Sequence, residues 1–460
     1  MIRVRVLDEP MMEFGYSGTH QEQRAGLAEY GPADVEMLGR ADTIRLGSVG
    51  AAAQIAELQE YLRTCAKGVD AKETQLVTLF PEFPGTTSRR GFHCRLAFPA
   101  GSQRAVSPQQ FKVIRAAEGD DNKIRMAVDI CAEEVRRLLE RTSVDVVLVV
   151  RPPGLPDGVG SGALTGANFH DLLKAALITT PQPIQIIRPS TWRGGPSVED
   201  DATRAWNLFT ALYYKAGGKP WRLLRKRSAL SRLYVGVSFT RSDASDQLFA
   251  SVAQVFNELG DGVIVRGGLA ERSQADRQPH LAKADAKELL SEALRRYRDE
   301  HRTSPAAVTL HKTSDFSEDE RDGFMAAAEQ ADLDGCELLW LTDSENAMLI
   351  RGSNYYPPLR GTLLSLSKDE HVLYSHGSVP FYKTYPGLYV PRPLGIRTYS
   401  ITRSIEEVAT EILSLTKLNW NRARMDARLP ITLLTAKRVG GILRHVDASV
   451  TPAPRYANYM

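Results

Sequence analysis

The sequence has few cysteines, and none of them stands in a pattern that would hold a metal or a disulfide framework. Four occur among 460 residues: Cys65, Cys94, Cys131 and Cys336. No two are close enough for a CxxC-type pair, which argues against a zinc site and against a disulfide-stapled fold. Isolated thiols of this kind are typical of a protein kept in the reducing cytoplasm.

Long apolar runs and a strong charge bias are also missing. No stretch reaches the ~18 consecutive apolar residues that a membrane helix needs, and the N-terminus lacks the apolar core of a signal peptide. The net charge of +3, with a sequence pI near 8.5, is only mildly basic. A nucleic-acid-binding surface would therefore have to come from local clusters of Lys and Arg. We expect a globular, cytoplasmic protein with no membrane segment.

The first half of the chain alternates strands and helices in the manner of an α/β domain. We predict strands at Thr43–Leu46, Val144–Val150 and Ile184–Ile187, and helices near 51–65, 127–141, 169–177 and 202–215. We predict loops and short elements for residues 1–40, and loops for residues 80–122 and for Pro152–Gly166. The run Val144–Val150 is apolar throughout, as expected of a strand buried on both faces of a parallel sheet.

The pattern changes after a basic connector at Lys219–Arg227. Three consecutive strands are predicted, at Leu233–Thr240, Asp246–Val255 and Gly262–Val265. A helix, a strand, a helix and a strand then follow, at about 284–298, Ala307–His311, 318–331 and Cys336–Leu341. Three strands followed by alternating helices and strands is the order of an RNase H-like fold. We place the domain boundary near residue 225, which divides the chain into 1–225 and 226–460.

A set of polar residues in the first half suits a terminal phosphate. His170 and Lys174 are four residues apart on one helix face. Gln185 lies on the next predicted strand, and Lys215 closes the following helix just before Gly217 and Gly218. Lysine supplies positive charge and glutamine supplies a donor to phosphate oxygens. The His170/Lys174 pair alone would be typical of a solvated helix face, and Gln185 alone on a strand indicates nothing; the order and spacing of all four residues carry the prediction.

These stretches, FHDLLKAALITTPQPIQII and WNLFTALYYKAGGKPW, resemble the MID domain of Argonaute proteins. The resemblance implies that His170, Lys174, Gln185 and Lys215 bind the 5′-phosphate of a guide strand, with His170 where Tyr is commoner. Additional nucleic-acid contacts would come from Asn207, Lys219 and Arg222. The resemblance also implies a Mg²⁺ ion in this pocket, held in part by the C-terminal carboxylate of Met460.

The second half resembles the PIWI domain of the same family, but residues at its metal-binding positions differ. An RNase H-like nuclease needs several carboxylates around two Mg²⁺ ions. The strand Leu233–Arg241 carries Ser238 where the family has Asp, a later strand carries Thr313 at the next Asp, and Lys437 replaces an Asp or His. A neutral hydroxyl or a cation cannot replace a carboxylate ligand of Mg²⁺, so we expect no target cleavage. Asp315 and Glu318–Glu320 lie nearby, but Ser317 and Glu320 are better explained as a helix capping box.

The resemblance covers most of the chain and implies an α/β protein with a Rossmann-like MID domain followed by an RNase H-like PIWI domain. The chain resembles in particular the short, inactive prokaryotic Argonautes. Their expected partners are a 5′-phosphorylated guide RNA, single-stranded invader DNA, and an APAZ-containing effector protein of TIR, sirtuin-like or nuclease type. Two other interpretations stay open: an active guide-dependent nuclease with a displaced metal site, and an α/β interaction protein with vestigial pockets.

Overall fold

The computed structural model describes most of the chain. The described residues are 2–40, 42–87, 90–156, 168–196, 198–224, 231–241, 248–256, 262–343, 347–349, 357–387, 389–447 and 449–460. Parts of six sequence-based predictions lie outside them: residue 1 of the segment 1–40, residues 88 and 89 of the loops at 80–122, the end of the loop at Gly166, the domain boundary at 225, the end of the basic connector at Arg227, and the strand start at Asp246.

The first domain is built on a parallel sheet with the order β5-β4-β7-β8, in which β6 also pairs with β4. The strands are β4 (Thr43–Gly50), β5 (Arg95–Ala97), β6 (Gln103–Ala105), β7 (Val146–Val150) and β8 (Ile184–Ile187). The helices are α2 (Ala52–Cys65), α3 (Pro108–Ala116), α4 (Asp120–Arg141), α5 (Phe169–Ala176), α6 (Ser190–Arg193) and α7 (Asp201–Lys215). Alternate residues of β7 enter two different hydrophobic clusters, one on each face of the sheet. This explains why β7 is apolar at every position.

The prediction of loops for residues 80–122 is wrong in part. The structure has two short strands, β5 and β6, and the helix α3 within this range, and α4 already begins at Asp120. Three-residue strands are too short to show an alternating pattern, and their partner β4 lies far away in the sequence. The start of α3 did carry a signal: Ser107 and Gln110 form a capping box with Pro108 at the first helical position.

The second domain is built on a ten-stranded sheet with the order β1-β16-β17-β18-β15-β14-β10-β11-β12-β13. The strands are β1 (Arg3–Val6), β10 (Arg232–Arg241), β11 (Leu248–Phe256), β12 (Gly262–Arg272), β13 (Pro279–Leu281), β14 (Ala307–Lys312), β15 (Gly335–Asp343), β16 (Thr362–Ser365), β17 (Glu370–Tyr374) and β18 (Leu394–Ser400). Neighbours β10, β14 and β15 run parallel, and the flanking pairs run antiparallel. The predicted order of three strands followed by alternating helices and strands is confirmed, except that the short strand β13 is added between β12 and α8.

Helices cover both faces of this sheet. The helices α8 (Lys283–His301) and α9 (Glu318–Gln330) pack on one face, against the odd-numbered β10 residues Leu233, Val235 and Val237. The helices α10 (Ile405–Leu415) and α11 (Ile431–Leu443) lie on the other face. There α11 approaches β10 so closely that a Cβ added at Gly236 would lie 2.2 Å from the Thr432 carbonyl oxygen. Glycine is therefore needed at that position.

Both ends of the chain tie the two domains together. The N-terminal part adds β1 to the second sheet, and then forms a small sheet of β2 (Met12–Glu13), β3 (Thr19–His20) and β9 (Arg222–Leu223), followed by α1 (Gln23–Tyr30). The C-terminal tail bonds to both domains: Ile264 N–H donates to Pro454 O, and Ala453 N–H donates to Ile178 O, at 2.9 and 3.0 Å. Among the described helices, none is long and apolar enough to cross a membrane.

Candidate phosphate-binding pocket and the face of the second sheet

Three of the residues predicted to bind phosphate meet at one end of the first sheet. Lys174 lies on α5, Gln185 on β8, and Lys215 is the last residue of α7. The Lys174 ammonium donates to Ile184 O at 2.7 Å. The Lys215 ammonium donates to Gln185 Oε1 at 2.8 Å and to the Met460 main-chain oxygen at 3.0 Å. The fold therefore brings Lys174, Gln185, Lys215 and the end of the C-terminal tail into one pocket.

The two lysines of this pocket are buried cations. Each side chain is only 1% exposed, and within the described part of the chain no Asp or Glu side chain forms an ion pair with either ammonium. Burial lowers the pKa of Lys174 well below its ordinary value, and the positive charges of Lys215 and Arg438 lower it further. Burial, followed by the charge of Arg438, lowers the pKa of Lys215 to about 7. Such a pocket is stabilised by an anion that shares both ammonium groups.

His170 stands at the rim of the same pocket, in the first turn of α5. Its Nδ1 lies 2.8 Å from Asp171 Oδ1, and Asn168 Nδ2 donates to the other Asp171 oxygen at 3.1 Å. Burial raises the pKa of Asp171, but the hydrogen bond with His170 and nearby cations outweigh burial and lower it. An ionised carboxylate only accepts, so His170 Nδ1 carries the hydrogen. Burial lowers the pKa of His170, which favours the neutral ring. In that neutral ring Nε2 is the second polar atom.

The pocket also receives a cation from the second domain that the sequence analysis missed. Arg438 is exposed on α11, and its positive charge lowers the pKa of His170, Lys174 and Lys215. Its helix packs beside α5, where Gly441 leaves room for the Asp171 side chain. In the sequence, Arg438 directly follows Lys437, which the resemblance assigns to a metal-binding position of the second domain. Only the contact between the two domains assigns Arg438 to the phosphate pocket.

The residues predicted to make additional nucleic-acid contacts form hydrogen bonds and an ion pair within the protein. Asn207 donates to Glu199 Oε2 at 2.9 Å and accepts from Ala423 N–H at 3.2 Å. The Arg222 guanidinium pairs with Glu13 of the neighbouring strand β2. The main-chain N–H of Lys219 donates to Asp34 Oδ2 at 2.9 Å. These contacts do not involve Lys174 or Lys215, and the role of the three positions in nucleic-acid binding stays a prediction.

The surroundings of Met460 do not favour the Mg²⁺ ion that the resemblance implied. The Met460 oxygen and Gln185 Oε1 both accept from the Lys215 ammonium. A divalent cation on the same oxygen would face a like charge at close range. No group of three or more His, Cys, Asp or Glu that could hold a metal is found in the parts of the chain described. Magnesium at Met460 stays a prediction, which chelation tests.

The second site, defined here by the predicted metal-binding positions Ser238, Thr313 and Lys437, lies at one end of the second sheet. Ser238 follows the β10 residues that pair with β14, where Gly236 is opposite His311 and Val237 opposite Lys312. Ser238 shares the α11-facing side of β10 with Gly236 and Thr240, whose hydroxyl donates to Gly440 O. Thr313 lies one residue beyond β14, and both Thr313 and the α11 residue Lys437 are exposed.

The nearby carboxylates are engaged in the structure of α9. Ser317 and Glu320 form the capping box that the sequence predicted, so that interpretation is confirmed. Glu320 also accepts from the buried Lys312 ammonium at 2.5 and 2.6 Å. Asp315 accepts from the hydroxyl of Tyr399 and from Phe316 N–H. These carboxylates point to the α9 side of the sheet, whereas Ser238 faces α11.

The fold of the chain is an α/β arrangement of a Rossmann-like domain followed by an RNase H-like domain. These are the MID and PIWI folds of Argonaute proteins, and solved Argonaute structures match nearly the whole chain. Clostridium butyricum Argonaute, solved with a guide DNA and a 19-mer target DNA, matches with a TM-score of 0.67 and 13% identity over 98% of this chain and 54% of that one.

Two further structures give the same result. Aa-Ago with externally bound siRNA matches with a TM-score of 0.61 and 15% identity, over 98% of this chain and 55% of that one. A. aeolicus Argonaute matches with a TM-score of 0.59 and 14% identity, over 98% and 54%. The chain thus spans about half the length of these Argonautes. No protein-family model matches it, and no curated protein sequence matches it.

Proposed function

We propose that this chain binds the 5′-phosphorylated end of a guide RNA, pairs the guide with complementary single-stranded DNA, and does not cut that DNA. Recognition of invader DNA then activates an associated effector protein that carries an APAZ region, as part of prokaryotic immunity. One observation carries the binding half of this proposal: the Lys174 and Lys215 ammonium groups are both buried, and among the described residues no Asp or Glu side chain forms an ion pair with either of them.

The charge of the pocket suits the end of a strand better than its interior. A terminal phosphate monoester carries a charge of about −1.5 to −2 at neutral pH, whereas an internal phosphodiester carries a single charge. Lys174, Lys215 and Arg438 together can neutralise the terminal group, and Gln185 adds a neutral donor. Desolvated ammonium groups make stronger electrostatic interactions than exposed ones. We therefore expect the pocket to distinguish a phosphorylated 5′ end from a hydroxyl end.

The non-cutting half of the proposal rests on the chemistry of Ser238, Thr313 and Lys437. Two-metal hydrolysis of a phosphodiester needs carboxylates that bridge or hold Mg²⁺. A hydroxyl is a weak ligand for this hard cation, and an ammonium repels it. The fold of a nuclease with these residues in place can still hold a guide–target duplex through its backbone and phosphates.

The binding half is tested with the full chain and two labelled RNAs of one sequence, one with a 5′-phosphate and one with a 5′-hydroxyl. Wild type should bind the phosphorylated RNA at least about 100-fold more tightly, which corresponds to about 2.7 kcal/mol. In the double variant Lys174→Met, Lys215→Met this difference should disappear, while binding of the hydroxyl RNA stays the same. Equal binding of both RNAs by wild type would contradict the proposal.

Two adjacent residues of α11 provide a matched comparison. Arg438→Met should weaken binding of the phosphorylated RNA by about tenfold, because the Arg438 charge acts on the pocket. Lys437→Met removes one positive charge from the neighbouring exposed position and should leave the preference for the 5′-phosphate unchanged. If both substitutions reduce that preference equally, the effect is general electrostatic attraction and Arg438 has no specific role.

The non-cutting half is tested by incubating the chain with a phosphorylated guide and a matched single-stranded DNA target in Mg²⁺ or Mn²⁺. We expect the target to stay intact and the guide–target duplex to stay bound. Cleavage at a defined site would favour the alternative of a displaced metal site. Co-expression with the neighbouring gene product tests the effector part: the effector's activity should require both guide and target.

A further inference from the structure

The strand β1 forms one edge of the ten-stranded sheet, and among the described strands none lies beside its outer side. It pairs antiparallel with β16 on its inner side, from Arg3 opposite Ser365 to Val6 opposite Thr362. All four of its residues are exposed. An uncovered edge strand offers a row of backbone donors and acceptors to an incoming strand.

The two faces of β1 differ sharply in character. Ile2, Val4 and Val6 alternate along one face, and they are 61%, 53% and 57% exposed. This stripe continues onto the sheet, where Val4 lies opposite Leu364, a member of a small hydrophobic cluster. Exposed apolar residues in a contiguous stripe at a sheet edge mark an interaction surface, in contrast to single scattered ones.

The opposite face of β1 is basic. Arg3, Arg5 and Lys368 line one cavity together with Glu406, which pairs with Arg5 at 3.2 Å. Three cations thus face one carboxylate. Charged residues on an edge strand usually protect it from unwanted pairing. Here the charges stand on only one face, so they select a partner strand by its charge and leave the apolar face open.

The hydrogen bond of Leu7, the residue after β1, shows which way the backbone N–H and C=O groups of the strand point. Leu7 N–H donates inward to Gly361 O at 2.9 Å. In an antiparallel pair, inward and outward backbone groups alternate from one residue to the next. The N–H and C=O groups of Arg3 and Arg5 therefore point towards β16, and those of Val4 and Val6 point outwards to the open edge.

A second copy of this chain fits the edge poorly. Antiparallel self-pairing centred on Val4 would place Arg3 of one copy opposite Arg5 of the other, twice over. Like charges directly opposite each other in a sheet are destabilising. A strand that alternates acidic and apolar residues has the complementary pattern, since its acidic side chains meet Arg3 and Arg5 and its apolar ones meet Ile2, Val4 and Val6.

We propose that β1 is a docking edge for an extended segment of another protein that alternates acidic and apolar residues and joins the second sheet as an additional strand. Main-chain hydrogen bonds to Val4 and Val6 hold the segment, and side-chain alternation fixes its register. This surface goes beyond the proposed guide binding and does not depend on it.

The test uses the full chain and two capped, fluorescently labelled peptides, one of five Glu-Val repeats and one of five Lys-Val repeats. Fluorescence anisotropy at low salt should show the Glu-Val peptide binding at least about tenfold more tightly. Hydrogen exchange should show new protection at the amides of Val4 and Val6, because Arg3 and Arg5 already bond to β16. In the variant Arg3→Glu, Arg5→Glu the preference should reverse in favour of the Lys-Val peptide.

A second variant separates backbone pairing from charge. Val4→Pro removes an outward N–H that the β1–β16 ladder does not use, and it should weaken Glu-Val binding by about tenfold with little change in the melting temperature. Guide binding should stay at the wild-type level in every β1 variant, so failure here is distinguishable from failure of the guide pocket.

Several results would overturn the proposal. Equal binding of the two peptides, no binding at millimolar peptide, or protection at other amides would each do so. A wild-type dimer with Val4 and Val6 protected in the absence of peptide would identify a second copy as the occupant. Single-stranded DNA that competes with the Glu-Val peptide, and loses affinity in the Arg3→Glu, Arg5→Glu variant, would identify a phosphate backbone.

Discussion

At the scale of single residues, Lys174 and Lys215 oppose stability and favour binding. The Lys174 ammonium donates to the neutral Ile184 oxygen, and the positive charge of Lys215 lowers the pKa of Lys174. The Lys215 ammonium donates to the neutral Gln185 Oε1 and to an oxygen of the terminal residue Met460. Burying a cation without an ionic partner costs free energy in the unliganded protein. The same arrangement makes a bound anion favourable, because the anion replaces the water that the lysines lost. A binding pocket of this kind is expected to be a weak point of the free protein.

This opposition predicts that Lys174→Met stabilises the free protein while it abolishes binding. Methionine fills a similar volume and needs no solvation, so the free energy of unfolding at pH 7 should rise by about 1 kcal/mol. Urea unfolding without guide measures it. The exposed Lys437→Met serves as the control and should change stability by less than about 0.5 kcal/mol. A loss of stability in Lys174→Met would mean that its hydrogen bond to Ile184 O outweighs the cost of burial.

Chelation decides the role of magnesium at Met460. Lys215 already donates to the Met460 oxygen at 3.0 Å. We therefore expect EDTA to change the affinity for the 5′-phosphorylated RNA by less than about threefold, which corresponds to less than about 0.7 kcal/mol. The measurement is a binding titration with EDTA and with millimolar Mg²⁺, using the 5′-hydroxyl RNA as the reference. A large loss specific to the phosphorylated RNA would show that a metal ion shares the pocket.

At the scale of secondary structure elements, the helix α11 connects the two candidate sites. It carries Arg438 to the phosphate pocket, Lys437 to the second site, and Thr432 to its close contact with Gly236 of β10. The position of α11 on the sheet therefore sets the position of Arg438. No single residue of α11 shows this role in the sequence, since it follows from where the helix packs.

Gly236→Ala tests this connection. The added Cβ would lie 2.2 Å from Thr432 O, so α11 must shift, and the free energy of unfolding should fall by about 2 kcal/mol. Affinity for the phosphorylated RNA should fall as well, because Arg438 moves with α11. Gly335→Ala on β15 is the matched control, since its Cβ would meet only ordinary contacts at 3.5 Å or more. An equal loss in the control would indicate a general effect of glycine replacement.

At this scale, much of the α/β organisation was predictable from the sequence. The strands β7 and β8 and the helices α5 and α7 were predicted within a few residues, because apolar runs, helix periodicity and the glycines after Lys215 are local signals. The strands β5 and β6 were missed because three residues have no readable period. The place of β1 in the second sheet was missed because a strand's partner is chosen by tertiary packing.

At the scale of the whole molecule, a buried ionic network stabilises the second sheet. Glu337 of β15 accepts from Arg232 of β10 and from Arg403 before α10, and Arg403 also pairs with Glu411 of α10. Burial alone would raise the pKa of Glu337, but the hydrogen bonds from Arg403 and the charge of Arg232 outweigh it and lower the pKa to about 2. The network therefore depends on Glu337 being ionised.

The lowered pKa of Glu337 predicts a specific loss of stability in acid. The stabilisation is fully present above the ordinary pKa of 4.5 and is lost as the pH falls towards about 2. Urea unfolding at pH 6, 4 and 3 measures this slope. Glu337→Gln should lower stability at pH 6 by about 3 kcal/mol, because two guanidinium groups lose a buried partner, and its slope below pH 4.5 should be shallower. A slope identical to wild type would assign the acid sensitivity to other carboxylates.

The sequence by itself determined the order of elements, and through resemblance it predicted the pocket residues His170, Lys174, Gln185 and Lys215 and the substituted positions Ser238, Thr313 and Lys437. These depend on residue type and local spacing, which the chain carries directly. Only the tertiary structure decided that Arg438 serves the pocket, that the Met460 oxygen meets Lys215, and that β1 forms an open edge. Each of these depends on segments far apart in sequence, and packing of the two domains brings them together.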